Sequence, residues 1–131
     1  MHVQTLKTHS RIEMIDITGS VREIVKKSGV KSGFCVVYVP HTTAAVTINE
    51  NADSSVKRDI ISKLSQLIPE NDNYTHLEGN SDAHVKSSLV GVNVVIPVDS
   101  GDLVLGTWQG IYFCEFDGPR TRKFVVQIVG D

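Results

Sequence analysis

The most chemically dense part of the sequence is segment 76–84, which holds two histidines, two carboxylates and an asparagine around Gly79. Imidazole nitrogens ligate zinc and similar divalent ions, and imidazoles and carboxylates both transfer protons. His76, Asp82 and His84 supply these groups within nine residues. Segment 76–84 is therefore the first candidate for a functional site.

A third histidine, His41, follows an apolar segment that ends at Pro40. A catalytic zinc characteristically has three protein ligands and one position open to water or substrate. His41, His76 and His84 supply that number, so they are candidate ligands of zinc or magnesium. Their spacing matches no compact metal motif, and solvated or hydrogen-bonded loop histidines are the alternative interpretation.

Two carboxylates and one guanidinium are the candidate catalytic groups. Glu50 and Asp82 could orient an imidazole or transfer protons, and the alternative is that each caps a neighbouring helix. Arg120 follows the turn 117–119, and its planar guanidinium suits a phosphate or carboxylate. A solvated charge at the end of a strand is the alternative for Arg120.

Trp108 and Gln109 offer a flat ring and an amide to a heterocyclic ligand, although a lone tryptophan at a strand end is more often packing. The sequence contains no GxxxxGK[ST], GxGxxG, HExxH or GxSxG motif. Nucleotide binding through such loops and serine nucleophile chemistry are therefore disfavoured.

Length and composition indicate one globular domain, residues 1–131, with 40% hydrophobic and 21% charged residues. The net charge of −2 provides no basic field for nucleic acid or an anionic membrane. No apolar run approaches the roughly 20 residues that span a bilayer, so we expect a cytoplasmic protein. Cys35 and Cys114 lie in apolar strand-like segments, where we expect small buried hydrophobic residues.

Short β-branched and aromatic segments predict a mostly antiparallel β-sandwich of the α+β class. The segment 33–40 is apolar throughout, which predicts a strand that is buried on both faces. The other predicted strands are two edge-like strands on either side of a turn at 9–10, and segments 43–48, 92–98, 103–108, 111–116 and 124–129.

Helical periodicity predicts one long amphipathic helix over 56–68, which ends at Pro69. Ser20 and Glu23 form a capping box for a short helix that ends at Gly29. Ser81 or Asp82 could cap a second short helix, which ends at Gly91. The polar segment 69–80 between the helices predicts a functional loop.

Four segments together resemble the YjbQ-like family, which is known as the secondary thiamine-phosphate synthase family. They occur in matching order and with matching gaps along nearly the whole chain. The segments are His41-Thr42-Thr43 through Asn49-Glu50-Asn51, residues 79–89, Gly106-Thr107-Trp108-Gln109-Gly110-Ile111, and Glu115-Phe116-Asp117-Gly118-Pro119-Arg120.

The resemblance implies a cytoplasmic homotrimer of α+β sandwiches with a three-histidine pocket, which holds a metal ion in some relatives. It also implies a transferase that weakly joins a pyrimidine-methyl diphosphate to a thiazole phosphate. The roles it implies are metal binding for His41, His76 and His84, catalysis for Glu50, Asp82 and Arg120, and substrate binding for Asn80, Trp108, Gln109, Glu115 and Asp117.

Two other functions stay open at this point. One is a non-catalytic trimer that binds a metal or a small ligand, because no complete catalytic signature is present. The other is metal-dependent hydrolysis of a phosphoester, which uses water as the nucleophile in the same pocket.

Overall fold

A computed structural model describes all residues, 1–131, and contains eight strands and three helices. The strands are β1 (His2–Lys7), β2 (Glu13–Asp16), β3 (Ser32–Tyr38), β4 (Ala44–Glu50), β5 (Asn93–Asp99), β6 (Asp102–Leu103), β7 (Gln109–Glu115) and β8 (Thr121–Gly130). The helices are α1 (Thr18–Ser28), α2 (Ser54–Leu67) and α3 (Ser81–Val90).

The strands form two antiparallel sheets. One has five strands in the order β1-β8-β3-β5-β6, and the other has three in the order β2-β7-β4. The main core of fifteen buried residues is built from α1 and the facing sides of both sheets. A second cluster of six buried residues lies on the other side of the three-stranded sheet, next to α2 and α3. The predicted single-domain α+β sandwich is confirmed.

The strand predicted over 33–40 is confirmed, but the prediction that both faces are buried is wrong. Cys35 and Val37 are fully buried, whereas Phe34 and Tyr38 are 42% and 45% exposed. No helix covers the outer face of the five-stranded sheet, so only alternate residues of β3 face the core. Both faces of β3 therefore carry apolar side chains, although only one face is buried within this chain.

Two predicted helix caps are wrong. Helix α1 begins at Thr18, two residues before Ser20, and Asp16 Oδ1 accepts hydrogen bonds from Thr18 N and Oγ1. Ser81 and Asp82 lie inside α3, where Asp82 forms ion pairs instead of a cap. The predicted end of α1 is confirmed, because Gly29 adopts a left-handed conformation with φ of 76°.

The long helix is confirmed as α2, which begins two residues earlier than predicted and is capped by Asp53 through the backbone N–H of Ser55. The predicted strand 103–108 is mostly wrong, because β6 ends at Leu103 and a turn precedes β7. The two edge-like strands predicted on either side of the turn at 9–10 are β1 and β2, and they are edge strands of different sheets.

The cysteines are buried as predicted, and burial raises the pKa of Cys35 to about 11 and that of Cys114 to about 12. Segment 69–80 contains no helix or strand, as predicted. The longest helix is too short to cross a bilayer, so no membrane-spanning helix is present.

Candidate functional site

Three concavities adjoin one another at one end of the molecule, and we call them together the histidine groove. They have volumes of about 320, 290 and 470 Å³. The first and second share His84, and the second and third share His41 and Thr42. Loop 69–80, helix α3, the segment after β3 and the turn before β8 therefore form one continuous surface, lined mostly by polar residues.

His76 and His84 stand at the first end of the groove. Their ring centroids are 5.4 Å apart and the rings are nearly perpendicular, at 84°. Ser81 lies beside them in the first turn of α3, and its buried hydroxyl has no hydrogen-bond partner. Glu78 Oε2 is 3.7 Å from His76 Nε2, but that carboxylate is largely exposed. This end therefore offers two imidazoles and one unused hydroxyl to a ligand.

His41 is committed to a backbone hydrogen bond in the middle of the groove. Its Nε2 accepts from the N–H of Lys123 at 3.0 Å. Burial, with the nearby charge of Arg122, lowers the pKa of His41, so the ring is neutral at pH 7. Since Nε2 accepts, the proton of the neutral ring lies on Nδ1. His41 therefore presents an N–H donor.

A three-histidine metal site does not fit this arrangement within one chain. No group of three or more His, Cys, Asp or Glu side chains is placed to hold a metal ion. The Nε2 lone pair that a metal would need on His41 is used by Lys123. His76 and His84 are in contact, whereas His41 shares only a concavity with His84.

Arg120 stands at the other end of the groove and is oriented by Asp117. Its Nε donates to the Asp117 carbonyl at 2.9 Å, and its Nη2 donates to Asp117 Oδ2 at 3.0 Å. Asn80 Nδ2 donates to the same carboxylate oxygen at 2.9 Å. Half of the Arg120 side chain stays exposed, so its positive charge is available to an anion.

Asp82 does not line the groove. It is fully buried, accepts two hydrogen bonds from Arg11 at 2.9 and 3.2 Å, and accepts another from Lys86 Nζ at 2.7 Å. Burial opposes ionisation, but the bonds from Arg11 and Lys86 outweigh it and lower the pKa of Asp82. Asp82 thus ties α3 to the segment between β1 and β2.

Glu115 is also fully buried beneath the groove. Arg122 Nε donates to both of its carboxylate oxygens at 2.9 and 3.1 Å, and Thr8 Oγ1 donates at 2.7 Å. Burial opposes ionisation here too, but the bonds from Arg122 and Thr8 outweigh it and lower the pKa of Glu115. Arg122 also donates to Thr43 Oγ1 at 2.8 Å. This cluster holds β7, β8 and the segment before β4 together.

Three of the predicted site residues lie far from the histidines in the same chain. In the β4–β7 ladder, Ala44 pairs with Glu115 at the groove end, and Glu50 pairs with Gln109 at the other end. Six steps of about 3.4 Å separate these pairs by roughly 20 Å. Trp108 lies next to Gln109 and is 62% exposed, so it is not a packing residue of this chain.

Sequence reasoning assigned no site role to Arg11, Lys86 or Arg122. Two of them had a signal in the sequence. Lys86 is four residues after Asp82 on a helix, the spacing of an ion pair. Arg122 is in phase with the inward-facing Phe124 and Val126 on β8, so a buried charge was predictable there. Arg11 lies in an irregular segment and had no such signal.

The fold and the groove define a small α+β protein with a polar, histidine-rich site at one end of its sandwich. The sequence matches the family described as UPF0047 protein YjbQ-like over residues 2–131. It is 61% identical to the UPF0047 protein MJ1081 of Methanocaldococcus jannaschii over 126 residues, which are 96% of this chain and 91% of that protein. It is 51% identical to the UPF0047 protein YugU of Bacillus subtilis, with 95% and 96% covered.

Solved structures agree with these sequence matches. A YjbQ/UPF0047 protein of Clostridium acetobutylicum superposes with a TM-score of 0.97 at 52% identity, covering 98% of this chain and all of that one. A YbjQ-like protein of unknown function from Sulfolobus solfataricus gives a TM-score of 0.96 at 37% identity, with 99% and 96% covered. The chain therefore belongs to the YjbQ-like UPF0047 family.

Proposed function

We propose that the histidine groove binds a small phosphorylated heterocyclic compound, and that the protein is a cytoplasmic transferase with weak thiamine-phosphate synthase activity. One observation carries the proposal. A half-exposed guanidinium and a pair of imidazoles occupy the two ends of one groove. Such an arrangement suits a ligand that has a phosphate at one end and a ring at the other.

The Arg120 end supplies what a phosphate needs. Asp117 orients the Arg120 guanidinium through two hydrogen bonds, so little side-chain freedom is lost when an anion binds. His41 presents an N–H donor beside it, since its other nitrogen accepts from Lys123. No Asp or Glu lines the three concavities, and the one carboxylate that contacts Arg120, that of Asp117, also accepts a hydrogen bond from Asn80.

The opposite end supplies what a nitrogen heterocycle needs. His76 and His84 present ring faces and ring nitrogens at a 5.4 Å separation, a distance typical of edge-to-face aromatic pairs. The buried Ser81 hydroxyl has no protein partner, so a ligand nitrogen that bonds it would remove the cost of an unpaired polar group.

The proposed reaction transfers a pyrimidine-methyl group. The thiazole nitrogen donates its electron pair to the methylene carbon, the new C–N bond forms, and the C–O bond to diphosphate breaks. Diphosphate leaves with the electron pair of the broken C–O bond, and the positive charge of Arg120 stabilises it. No proton transfer is required at the reacting carbon, which agrees with burial of Asp82 and Glu115 in ion pairs.

We further propose that the protein is a homotrimer. Five large hydrophobic residues, 42–58% exposed, share the outer face of the five-stranded sheet: Val3, Phe34, Tyr38, Val95 and Val129. An apolar patch of this kind marks an interface more often than a free surface. Val95→Glu should dissociate the trimer in sedimentation velocity, whereas Leu67→Glu, at an exposed leucine at the end of α2 and off this sheet, should not.

The functional experiment combines binding and turnover. Inorganic diphosphate binding is measured by calorimetry, and thiamine phosphate formation is followed by chromatography, for the wild type, Arg120→Ala and His84→Ala. Arg120→Ala should weaken diphosphate binding at least tenfold, because one charge-assisted contact is lost. His84→Ala should keep diphosphate binding and lose product. Equal diphosphate affinity in wild type and Arg120→Ala would contradict the proposal.

A second candidate is a binding protein without catalysis, and the absence of any carboxylate from the groove lining favours it. Saturable binding of both substrates with no product after long incubation would support it. Phosphate release from a monoester panel would instead indicate hydrolysis. Repeating each assay after dialysis against chelator, zinc or magnesium tests whether a divalent ion takes part.

A further inference from the structure

A second concavity lies outside the histidine groove, between α2, α3 and the outer surface of the three-stranded sheet. Its volume is about 330 Å³, and eight of its ten lining side chains are apolar. Met14 and Cys114 contribute to its floor, and Ile60 and Leu64 of α2 form one wall. It shares no residue with the histidine groove.

Helix α2 packs lightly against this sheet. It is amphipathic, yet none of its fourteen residues is buried. Ile60 and Leu64 are only half-buried because they border the cavity instead of filling the space above Met14 and Cys114. Apolar walls without facing atoms lose dispersion contacts, and a molecule of matching shape would restore them.

The two polar lining residues lie together on one strand. Thr47 and Asn49 are two residues apart on β4, so both face the cavity. Asn49 Oδ1 accepts from the Glu50 N–H at 2.7 Å, which leaves the Asn49 amide N–H groups to donate to a ligand. No charged side chain lines the cavity, and burial raises the pKa of Cys114 to about 12, so its thiol stays neutral.

We infer that this cavity is a second ligand site, which takes an uncharged, mostly apolar molecule about the size of two aromatic rings with a hydrogen-bond-accepting oxygen. The size follows from the volume, because a cavity of about 150 Å³ holds benzene and this one is about twice as large. The acceptor oxygen follows from the Asn49 amide N–H groups, which donate to no partner within the chain. The absence of lining charge excludes a phosphorylated ligand, so the site is distinct in chemistry from the groove.

The test uses 2-acetonaphthone as the probe, with calorimetry on the full chain and methyl NMR to locate it. The wild type should bind saturably and shift the methyl signals of Ile60, Leu64 and Met14. Leu64→Trp fills the cavity and should weaken binding at least tenfold. Leu67→Trp is the matched control, since Leu67 is on the same helix, 65% exposed and outside the cavity, and it should change affinity less than twofold.

Asn49→Ala is the second variant, because Asn49 is exposed and its loss should not impair folding. It should weaken binding about fivefold by removing one hydrogen bond. No saturable binding by the wild type up to the solubility limit would overturn the inference, as would equal affinities of the two tryptophan variants. If the wild type does not bind the probe, and Leu64→Trp loses the oligomer while Leu67→Trp keeps it, the cavity is an interface between copies and the inference is overturned.

Discussion

Ionisable side chains occupy two contrasting settings at the histidine end of the molecule. Asp82 and Glu115 are fully buried and held by cations, whereas Arg120, His76 and His84 line an open groove. The buried pairs tie α3, β7 and β8 to segments distant in sequence. His84 is on α3 and Arg120 directly precedes β8, whereas His76 lies in loop 69–80. Residues that are neighbours in the sequence thus divide into two sets. We call Asp82, Glu115 and the cations that hold them the frame, and Arg120, His76 and His84 the binding surface.

The largest expected effect is on the frame, in Glu115→Ala. Removing this carboxylate leaves Arg122 buried without its partner, which costs about 3–5 kcal/mol of unfolding free energy. Urea denaturation followed by circular dichroism measures the change. Glu50→Ala is the matched control at the other end of the same ladder and should cost less than about 0.5 kcal/mol. A loss below 1 kcal/mol in Glu115→Ala would place Glu115 outside the frame.

A double substitution sharpens the comparison at the second buried pair. Asp82→Ala should cost about 3 kcal/mol, because Lys86 would keep a buried charge without its carboxylate. Adding Lys86→Met removes that charge and should recover at least half of the loss, measured by the same denaturation. Strictly additive losses would show that the two side chains are not coupled.

Acidification should weaken the frame in a defined pH window. The pKa values of Asp82 and Glu115 lie below their ordinary values of 3.8 and 4.5. The folded state therefore holds fewer protons than the unfolded state near those values, so stability is complete above them and falls as the pH drops through the folded pKa. Unfolding free energies measured from pH 7 to pH 3 should show this fall, and Glu115→Gln should show a shallower one.

His41 adds a smaller dependence at higher pH. Its pKa is lowered from 6.5 by burial and by Arg122, so the unfolded state binds its proton first on acidification. Stability should therefore decline slightly as the pH falls below about 6.5, and His41→Asn should flatten that part of the curve. An unchanged slope in His41→Asn would contradict the assignment of a neutral His41.

The smallest expected effects on stability come from the groove. Arg120→Ala and His84→Ala remove partly exposed side chains and should each change the unfolding free energy by less than about 0.5 kcal/mol. Arg120→Ala should nevertheless weaken diphosphate binding, and His84→Ala should lose product formation, as proposed above. A loss of several kcal/mol in either would move that residue from the binding surface to the frame.

Local features were predictable because they depend on neighbours in sequence. The apolar repeat of α2, its end before Pro69, and the left-handed Gly29 at the end of α1 all follow from short-range geometry. The failed caps of α1 and α3 show the limit of this reasoning. The residues predicted as caps form other contacts instead. Asp82, for example, accepts a hydrogen bond from Arg11, which is 71 residues away.

The candidate site was predictable in part for the same reason. The concentration of ionisable residues in segment 76–84 predicted a site there, and His76 and His84 do lie beside each other. The position of Glu50 relative to His41 was not predictable, because it depends on which end of β4 each residue occupies. Arg122 was recognisable only as an inward position on β8.

The sequence by itself determined the elements, the α+β class and a polar segment rich in chemistry, since periodicity and turn residues act over a few neighbours. Only the tertiary structure decided which charges are buried, which histidine nitrogen stays free, and which residues meet across the sheets. Those outcomes depend on strand order and register, which join residues far apart in sequence.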